Sequence, residues 1–488
     1  MKRSSGLLIW VLIAALCIGA LTFAGAKGLM PSHADTVSDN KASHIVLKEN
    51  VKLWYTDSDL TNLLESAAVK YNSESGRQER IVPVLSEESD FVKAVYDASV
   101  EGKDFPDVFV LSNDSFEKAY LSGLAWEIPV EETDSFMARY PSSAVNAVTY
   151  RDRILGYPWY YETAAFMYNR TFLMDWAEDR ILMESTSETE EESGTAEELN
   201  EATEVSEGEA ETYLRQNLPS SIEELLYFSN IYNAPDSLDA VFKWDVNDIF
   251  YTYFFAGASL NVGGETGDDP SVMDIYNENA IRSLNRFQRL NQFFSFDSRD
   301  VSYDQILEDF ISGKILFTVC TTDAVKAITD AKKAGTCEYD FGSSALPDIT
   351  AEIKARPLSV TNALVINGYS EKTENAKNVI EYLTGLSADD MYRDSGKASA
   401  SISATFSDSA MDGFRTSYVA SVPVTKIAQT GNFRLRMEAA MMRIWDGEDP
   451  NSVLMELSTD MNRQTGASFE EPERLEVEEE TIGIGESD

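Results

Sequence analysis

The chain has 488 residues, and 83 acidic side chains against 40 basic ones give a formal net charge of -43. That balance repels phosphate backbones and anionic lipid heads, which excludes nucleic acid as a partner, and no basic stripe offsets it. The length allows two to three domains, while the only histidines, His33 and His44, precede the first predicted strand and leave the globular part no imidazole for metal binding or acid–base work.

Lys2 and Arg3 precede an apolar run from Leu7 to Phe23, and Ala24-Gly25-Ala26 supplies the small-x-small pattern of a cleavage site. Residues 1–44 therefore read as a signal peptide or membrane anchor followed by a polar tether, and the protein as exported to the cell surface or beyond. Cys17 invites lipidation, but Leu16 stands where a lipid-attachment motif wants a small residue.

Strand and helix patterns then alternate. Ile45 to Tyr55 reads as a strand, Asp59 to Asn72 as a helix with apolar spacing of three and four, and Ile81 to Leu85 as a short strand. Ala94 to Ser99 is a helix end, and Val108 to Leu111 is apolar throughout, as a buried parallel strand would be. Asn113 and Asp114 follow it directly, in the kind of strand-end loop where doubly wound sheets bind ligands. Between Leu155 and Arg170 four rings, Tyr157, Trp159, Tyr160 and Tyr161, lead to one carboxylate, Glu162. Rings that stack on a sugar face and a carboxylate that accepts hydroxyl hydrogen bonds suit a carbohydrate cleft.

From Glu184 to Thr212 the composition is acidic and polar without a basic residue, which predicts a disordered insert, and the acidic tail from 468 to 488 is expected to fray. Between them, Ser220 to Tyr232 is an amphipathic helix with a capping-box start and Asp248 to Ala258 an aromatic-rich helix. Ile306 to Ser312 is helical, Ile315 to Cys320 is a strand, and Thr321-Thr322-Asp323 starts a helix running to Lys333. Tyr339 to Leu346 and Ser359 to Ile366 are strands, and helices from Lys372 to Leu386 and Asn432 to Trp445 close the fold. Cys320 and Cys337 fall at opposite ends of a predicted parallel βαβ unit, beyond the ~7 Å reach of a disulfide, so two free thiols are expected.

These segments carry a family resemblance. PDVFVLSNDSFEKAYLSGLAWEI, GYPWYYETAAFMYNRTFL, FISGKILFTVCTTD, the Leu346-Pro347-Asp348 step, NVIEYLTGL and the Trp445-Asp446-Gly447 helix end occur in an order that resembles extracellular solute-binding proteins of the maltose-binding protein class, the substrate receptors of bacterial ABC importers. The similarity spans roughly residues 46 to 466, broken mainly by the acidic insert. It implies an α/β, two-lobe periplasmic-binding-protein-like fold of type II, with doubly wound sheets joined by a hinge. The first lobe would comprise 45–159 and 350–405, and the second 160–349 and 406–467. It also implies a monomer without cofactor, metal or covalent chemistry, which delivers a carbohydrate to a membrane permease.

Carried over by residue, the loop after the first strand maps to Thr56, Asp57, Ser58 and Asp59, and the next to Asn113 and Asp114. Trp159, Tyr161 and Glu162 come from the aromatic segment, and Asp248, Phe250 and Tyr251 from the other lobe. Asp323 and Phe433 stand near positions where the maltose receptor stacks tryptophans on sugar, and Thr361 and Asn362 belong to the hinge crossing. Each has a plainer reading. Asp57, Asp59 and Asp114 suit loops and N-caps anyway, the rings at 159–161 suit a core, and Lys243, Arg356 and Arg434 can pair with acids or meet an anionic ligand. The same rings and acids would also hold an amine or polyamine, a secreted glycosidase would combine them too, and a sensor of the same fold is a further alternative. Gly396-Lys397 lacks the rest of a phosphate-binding loop, so ATP hydrolysis would belong to another subunit.

Overall fold

The computed structural model describes residues 48–192, 205–294, 298–428, 431–465 and 472–477. The expected export segment, tether and both histidines lie outside the described residues, as do the centre of the acidic insert and most of the tail.

In chain order the strands are β1 (Glu49–Tyr55), β2 (Glu79–Leu85), β3 (Val108–Ser112), the hairpin β4 (Thr149–Tyr150) and β5 (Arg153–Ile154), and β6 (Tyr157–Asn169). There follow β7 (Ala240–Phe242), the hairpin β8 (Asn261–Val262) and β9 (Met273–Asp274), β10 (Ile315–Thr321), β11 (Phe341–Ser344), β12 (Leu358–Ile366), β13 (Ala398–Ser399) and β14 (Val422–Pro423). The main sheet runs β2-β1-β3-β12-β6-β10-β7. β1 pairs in parallel with β2 and β3, as strands joined by crossover helices must.

β6 has 13 residues, more than twice an average strand, and its length explains the architecture. Its first part pairs antiparallel with β12, from Leu364↔Tyr157 to Ser359↔Thr163. From Ala164 onward it lies between β10 and β11, antiparallel to both. One strand therefore belongs to both halves of the sheet, and β12, which also pairs with β3 and β14, crosses beside it.

Helices cover both faces of each half, because side chains alternate along buried strands. Leu53, Val108 and Leu364 pack on one face of the first half with Leu64, Tyr71 and Ile380, and Phe109 and Val365 pack on the other with Phe116 and Ala144. In the second half Phe166, Phe242 and Phe317 join Phe287 and Trp445, while Met167 and Phe341 face Phe310 and Phe414.

Three expectations change. The edges of the acidic insert are helical: one helix runs from Arg170 to Glu192 and another from Glu207 to Asn217, started by a capping box at Ser206 and anchored by buried Ala210 and Leu214 and by Arg170–Glu211 at 2.7 Å. Composition hid this, because a few apolar anchors and one cation suffice on a helix face. The aromatic helix is only Ile249–Thr252 before a 3-10 turn at Tyr253–Phe255. In the tail, residues 472–477 dock, with Leu475 N–H donating to Tyr276 at 2.8 Å and its carbonyl accepting from Asn451 at 2.8 Å. β10 and β11 are parallel to each other but lie on opposite sides of β6, and Cys320 and Cys337 are free thiols. Among the described residues no helix is long and apolar enough to cross a membrane.

Candidate functional site

Where β1 ends, the Asp57 side chain caps a short turn, Oδ1 accepting from Asp59 N–H at 3.0 Å. Its other oxygen meets Lys397 Nζ at 2.7 Å, and Glu162 and Asp59 place carboxylate oxygens at 3.4 and 3.8 Å from the same nitrogen. Lys397 gets there because helix Ala388–Ser395 ends on Gly396 at φ 71°, a left-handed conformation that glycine adopts freely. That turn feeds β13, which pairs with Tyr160 and Tyr161 of β6. The ammonium also lies 5.7 Å from the Tyr160 ring centre. Burial opposes its charge, but the hydrogen bond to Asp57 and the fields of Glu162, Asp57 and Asp59 prevail and hold it above the ordinary lysine range. Three carboxylates singled out from the sequence thus converge, around a cation that sequence reasoning met only as a failed phosphate motif. Thr56, Asp57, Tyr160 and Asn362 line a recess of about 260 Å³ beside them.

Ser115, at the end of this recess, also lines a larger cavity of about 710 Å³. The half built on β1–β3 contributes Asp114, Ser115 and, from helix Ser142–Val148, Ser142, Ser143 and Asn146. The opposite half contributes Ile249, Tyr253, Val262, Glu265, Phe433 and Arg434. Leu358 of β12, Arg356 before it and Val422 to Val424 at β14 form the wall where the chain crosses. The cavity is therefore framed by both halves and by the crossing strands.

Other sequence-selected residues serve packing. Asn113 is fully buried, its Nδ2 donating to Val424 O at 2.7 Å and its Oδ1 accepting from Thr361 N–H at 2.9 Å, so it ties the β3 loop to the crossing strands rather than facing a ligand. Thr361 is buried against Tyr418, 2.8 Å from its hydroxyl. Trp159 is 1 % exposed and donates to Leu383 O at 3.3 Å: the register shift between Asn362 and Ala363 turns it into the core. Tyr161 stacks on Tyr418 with ring centres 3.8 Å apart and is equally buried. These three aromatic and amide assignments are corrected by burial.

The second half's candidates divide. Phe433 lines the large cavity. Tyr251 stacks on Tyr303 at 4.5 Å, and Tyr303 donates to Asp323 at 3.1 Å, so Tyr251 and Asp323 share a neighbouring cluster. Asp248 caps its own helix, Oδ1 accepting from Phe250 N–H at 2.8 Å, and Phe250 packs half-buried on the core. Their alternation along one short helix separates them from Ile249 and Tyr253, which face the cavity.

A clasp joins the two halves beside the cavity wall, next to Asn146, Thr425 and Ile427. Lys426 is 1 % exposed and donates to Asn146 O at 2.7 Å and to Thr266 O of the β8–β9 loop. Sequence gave no signal for it, since an isolated lysine reads as surface. Among the described residues no cluster of histidine, cysteine or acidic side chains suits a metal ion.

No family model and no curated protein matches the sequence. Solved structures do match in fold. A cyclo/maltodextrin-binding protein complexed with maltotetraose has a TM-score of 0.64 at 18% identity over 86% of this chain and 97% of that one. The extracellular solute-binding protein from Staphylococcus aureus in complex with maltose has a TM-score of 0.66 at 17% identity over 86% of this chain and 98% of its own. The maltotriose-binding protein of Thermus thermophilus, bound with maltotriose, has a TM-score of 0.55 at 17% identity over 85% and 98%. The chain has the two-lobe, periplasmic-binding-protein-like α/β fold of these binding proteins.

Proposed function

We propose that the chain is an extracytoplasmic receptor that captures an oligosaccharide-like solute between two lobes and presents it to an ABC permease in the membrane. The observation that carries this reading is the 710 Å³ cavity framed by Asp114 of one half, Phe433 of the other and the crossing strands between them. Its size falls in the ~300–1,000 Å³ range of small-ligand sites. The bound forms of the structural neighbours contain maltotetraose, maltose and maltotriose, which supports a carbohydrate.

In this reading β6, β12 and β14 form the hinge, with the lobes at 45–159 plus 350–405 and 160–349 plus 406–467. A solute held by one lobe gains contacts with the other only on closure, and that differential affinity shifts the population to the form a permease recognises. Asp114, Phe433 and the edge of the Lys397 cluster contact the solute, and no bond is made or broken. Residues 1–44 export the receptor and tether it, and it acts as a monomer. The amine alternative is less favoured, because the ammonium of Lys397 already occupies the carboxylate cluster an amine would seek.

Thermal-shift titration with neutral and acidic sugars, polyols and amines tests the assignment, since a solute at 100 times its Kd adds ~2.7 kcal/mol of stability. A sugar hit should compact the protein in small-angle scattering, and Phe433→Ala should weaken it roughly tenfold, about 1.4 kcal/mol. Stabilisation by amines alone, or release of cleaved product from glycosides, would overturn the reading.

A further inference from the structure

Two guanidinium groups in the wall of the large cavity have no described carboxylate within ion-pair distance, although the field of Arg434 reaches Glu438 one turn along its helix. Some cations on this acidic chain find carboxylates, Arg436 reaching Asp460 at 3.0 Å and Arg443 reaching Glu448 and Glu456 at 2.8 Å each, while others, such as Arg139 and Arg415, bond to Thr384 and to the Ile402 carbonyl instead. Arg356 and Arg434 line the cavity, and neither forms an ion pair with a described carboxylate. The two acids in the same wall are engaged elsewhere, Asp114 accepting from Ser115 Oγ at 3.1 Å and Glu265 from Asn146 Nδ2 at 3.4 Å.

Their settings differ in a useful way. Arg356 is anchored at the crossing, Nε donating to Ala420 O at 3.0 Å and Nη2 to Ser421 O at 3.4 Å, which leaves Nη1 unspent. Arg434 stands in the first turn of helix Phe433–Trp445, a 13-residue helix whose N-cap, Asn432, makes no side-chain capping bond and whose first turn contains no acid. Helix starts favour negative charge, and this one presents a cation instead, so both the helix end and the guanidinium are complementary to an anion from outside. Ser143, 4 % exposed in the same wall, has an Oγ without a hydrogen-bond partner.

We propose that the cavity recognises a carboxylate-bearing oligosaccharide, its acid group held by Arg356 and Arg434 while Phe433 packs on a ring face. This rests on the receptor reading above and narrows its ligand. A carboxylate matches the planar guanidinium fork in two parallel hydrogen bonds, which a neutral hydroxyl cannot reproduce. The net charge of -43 repels such a ligand at long range, so added salt should speed association even as it weakens the bound contact.

Isothermal titration of the full chain with trigalacturonate, maltotriose and a sugar phosphate tests this. Trigalacturonate should bind at least about tenfold more tightly than maltotriose, and Arg434→Gln and Arg356→Gln should each weaken it roughly tenfold to a hundredfold. The same variants should weaken maltotriose less than trigalacturonate, so that the ratio of the two affinities falls by at least about threefold. Equal binding of the charged and neutral sugars, equal weakening of both by the variants, or a preference for the sugar phosphate would overturn the carboxylate assignment and leave the receptor reading standing. Absence of binding by every carbohydrate, charged or neutral, would remove both.

Discussion

Lys397 and Lys426 stand on the same crossing region and are both withdrawn from water, yet their charges meet opposite fates. Lys397 faces Asp57, Glu162 and Asp59, and its ammonium is held above the ordinary lysine range despite burial. Lys426 faces the carbonyls of Asn146 and Thr266; burial pushes it down to about 7, with only the field of Asp268 opposing. Carbonyl dipoles replace water less completely than carboxylates do, so the partner's charge and the depth of burial act together: Lys397 keeps 14% of its side chain exposed among three acids, whereas Lys426 is 1% exposed among carbonyls. One end of the cleft is thereby settled electrostatically by the protein itself. At the other end, a cation close to its titration point clasps Asn146 of one half to Thr266 of the other, beside Thr425 and Ile427 in the cavity wall.

The largest way to break this contrast is through pH. Lys426 has a folded value of about 7 against 10.5 for an unperturbed lysine. Between those values the unfolded chain binds the extra proton, so stability should rise with pH across that window, by something on the order of 4 kcal/mol. Lys426→Met should abolish that rise, which chemical denaturation from pH 6 to pH 10 measures. Parallel profiles for the two proteins would show that Lys426 keeps its charge. Lys397 carries the opposite sign. Its raised value means its contribution is fully present below 10.5 and is lost only above it. Lys397→Met, which strands three partly exposed carboxylates, should cost about 1–3 kcal/mol at pH 7, less than the 3–5 of a fully buried pair. A neutral result would mean that water already solvates those acids.

Much of the fold was legible because hydrophobic runs and turns are local signals. Val108 to Leu111 announced a strand buried on both faces, and the order of weak motifs placed β6 and β12 at the crossing. The site was legible only where a residue type has few alternatives in its setting. Glu162 in an apolar run needed a partner and has one, whereas that partner, Lys397, is distant in sequence and brought in by the turn at Gly396. Trp159 and Tyr161 were misassigned because alternation along β6 fails at one register shift, which no composition reveals. Asn113 shows the same limit: a polar loop residue becomes structural when the chain some 300 residues later, at Val424, supplies its acceptor. Lys426 had no signal at all, since its environment is assembled from Asn146, Thr266 and Asp268.

A finer test lies within the Lys397 cluster, where distance and exposure rank the acids. Asp57 sits 2.7 Å from the ammonium with its side chain 28% exposed, and Asp59 3.8 Å away with 68% exposed. Solvent screens the second far more, so Asp59→Asn should change stability by no more than about 0.5 kcal/mol, while Asp57→Asn should cost about 1 kcal/mol. Asp57 also caps its turn through Asp59 N–H, a bond an asparagine retains, so the difference between the two variants isolates the charge. Nitrogen-detected titration of Lys397 gives the same ranking independently: Asp57→Asn should lower its midpoint more than Asp59→Asn. Equal shifts would mean that the ammonium senses the summed field of the loop and not one short contact, and the ordering of the cluster by distance would fail while the contrast with Lys426 survived.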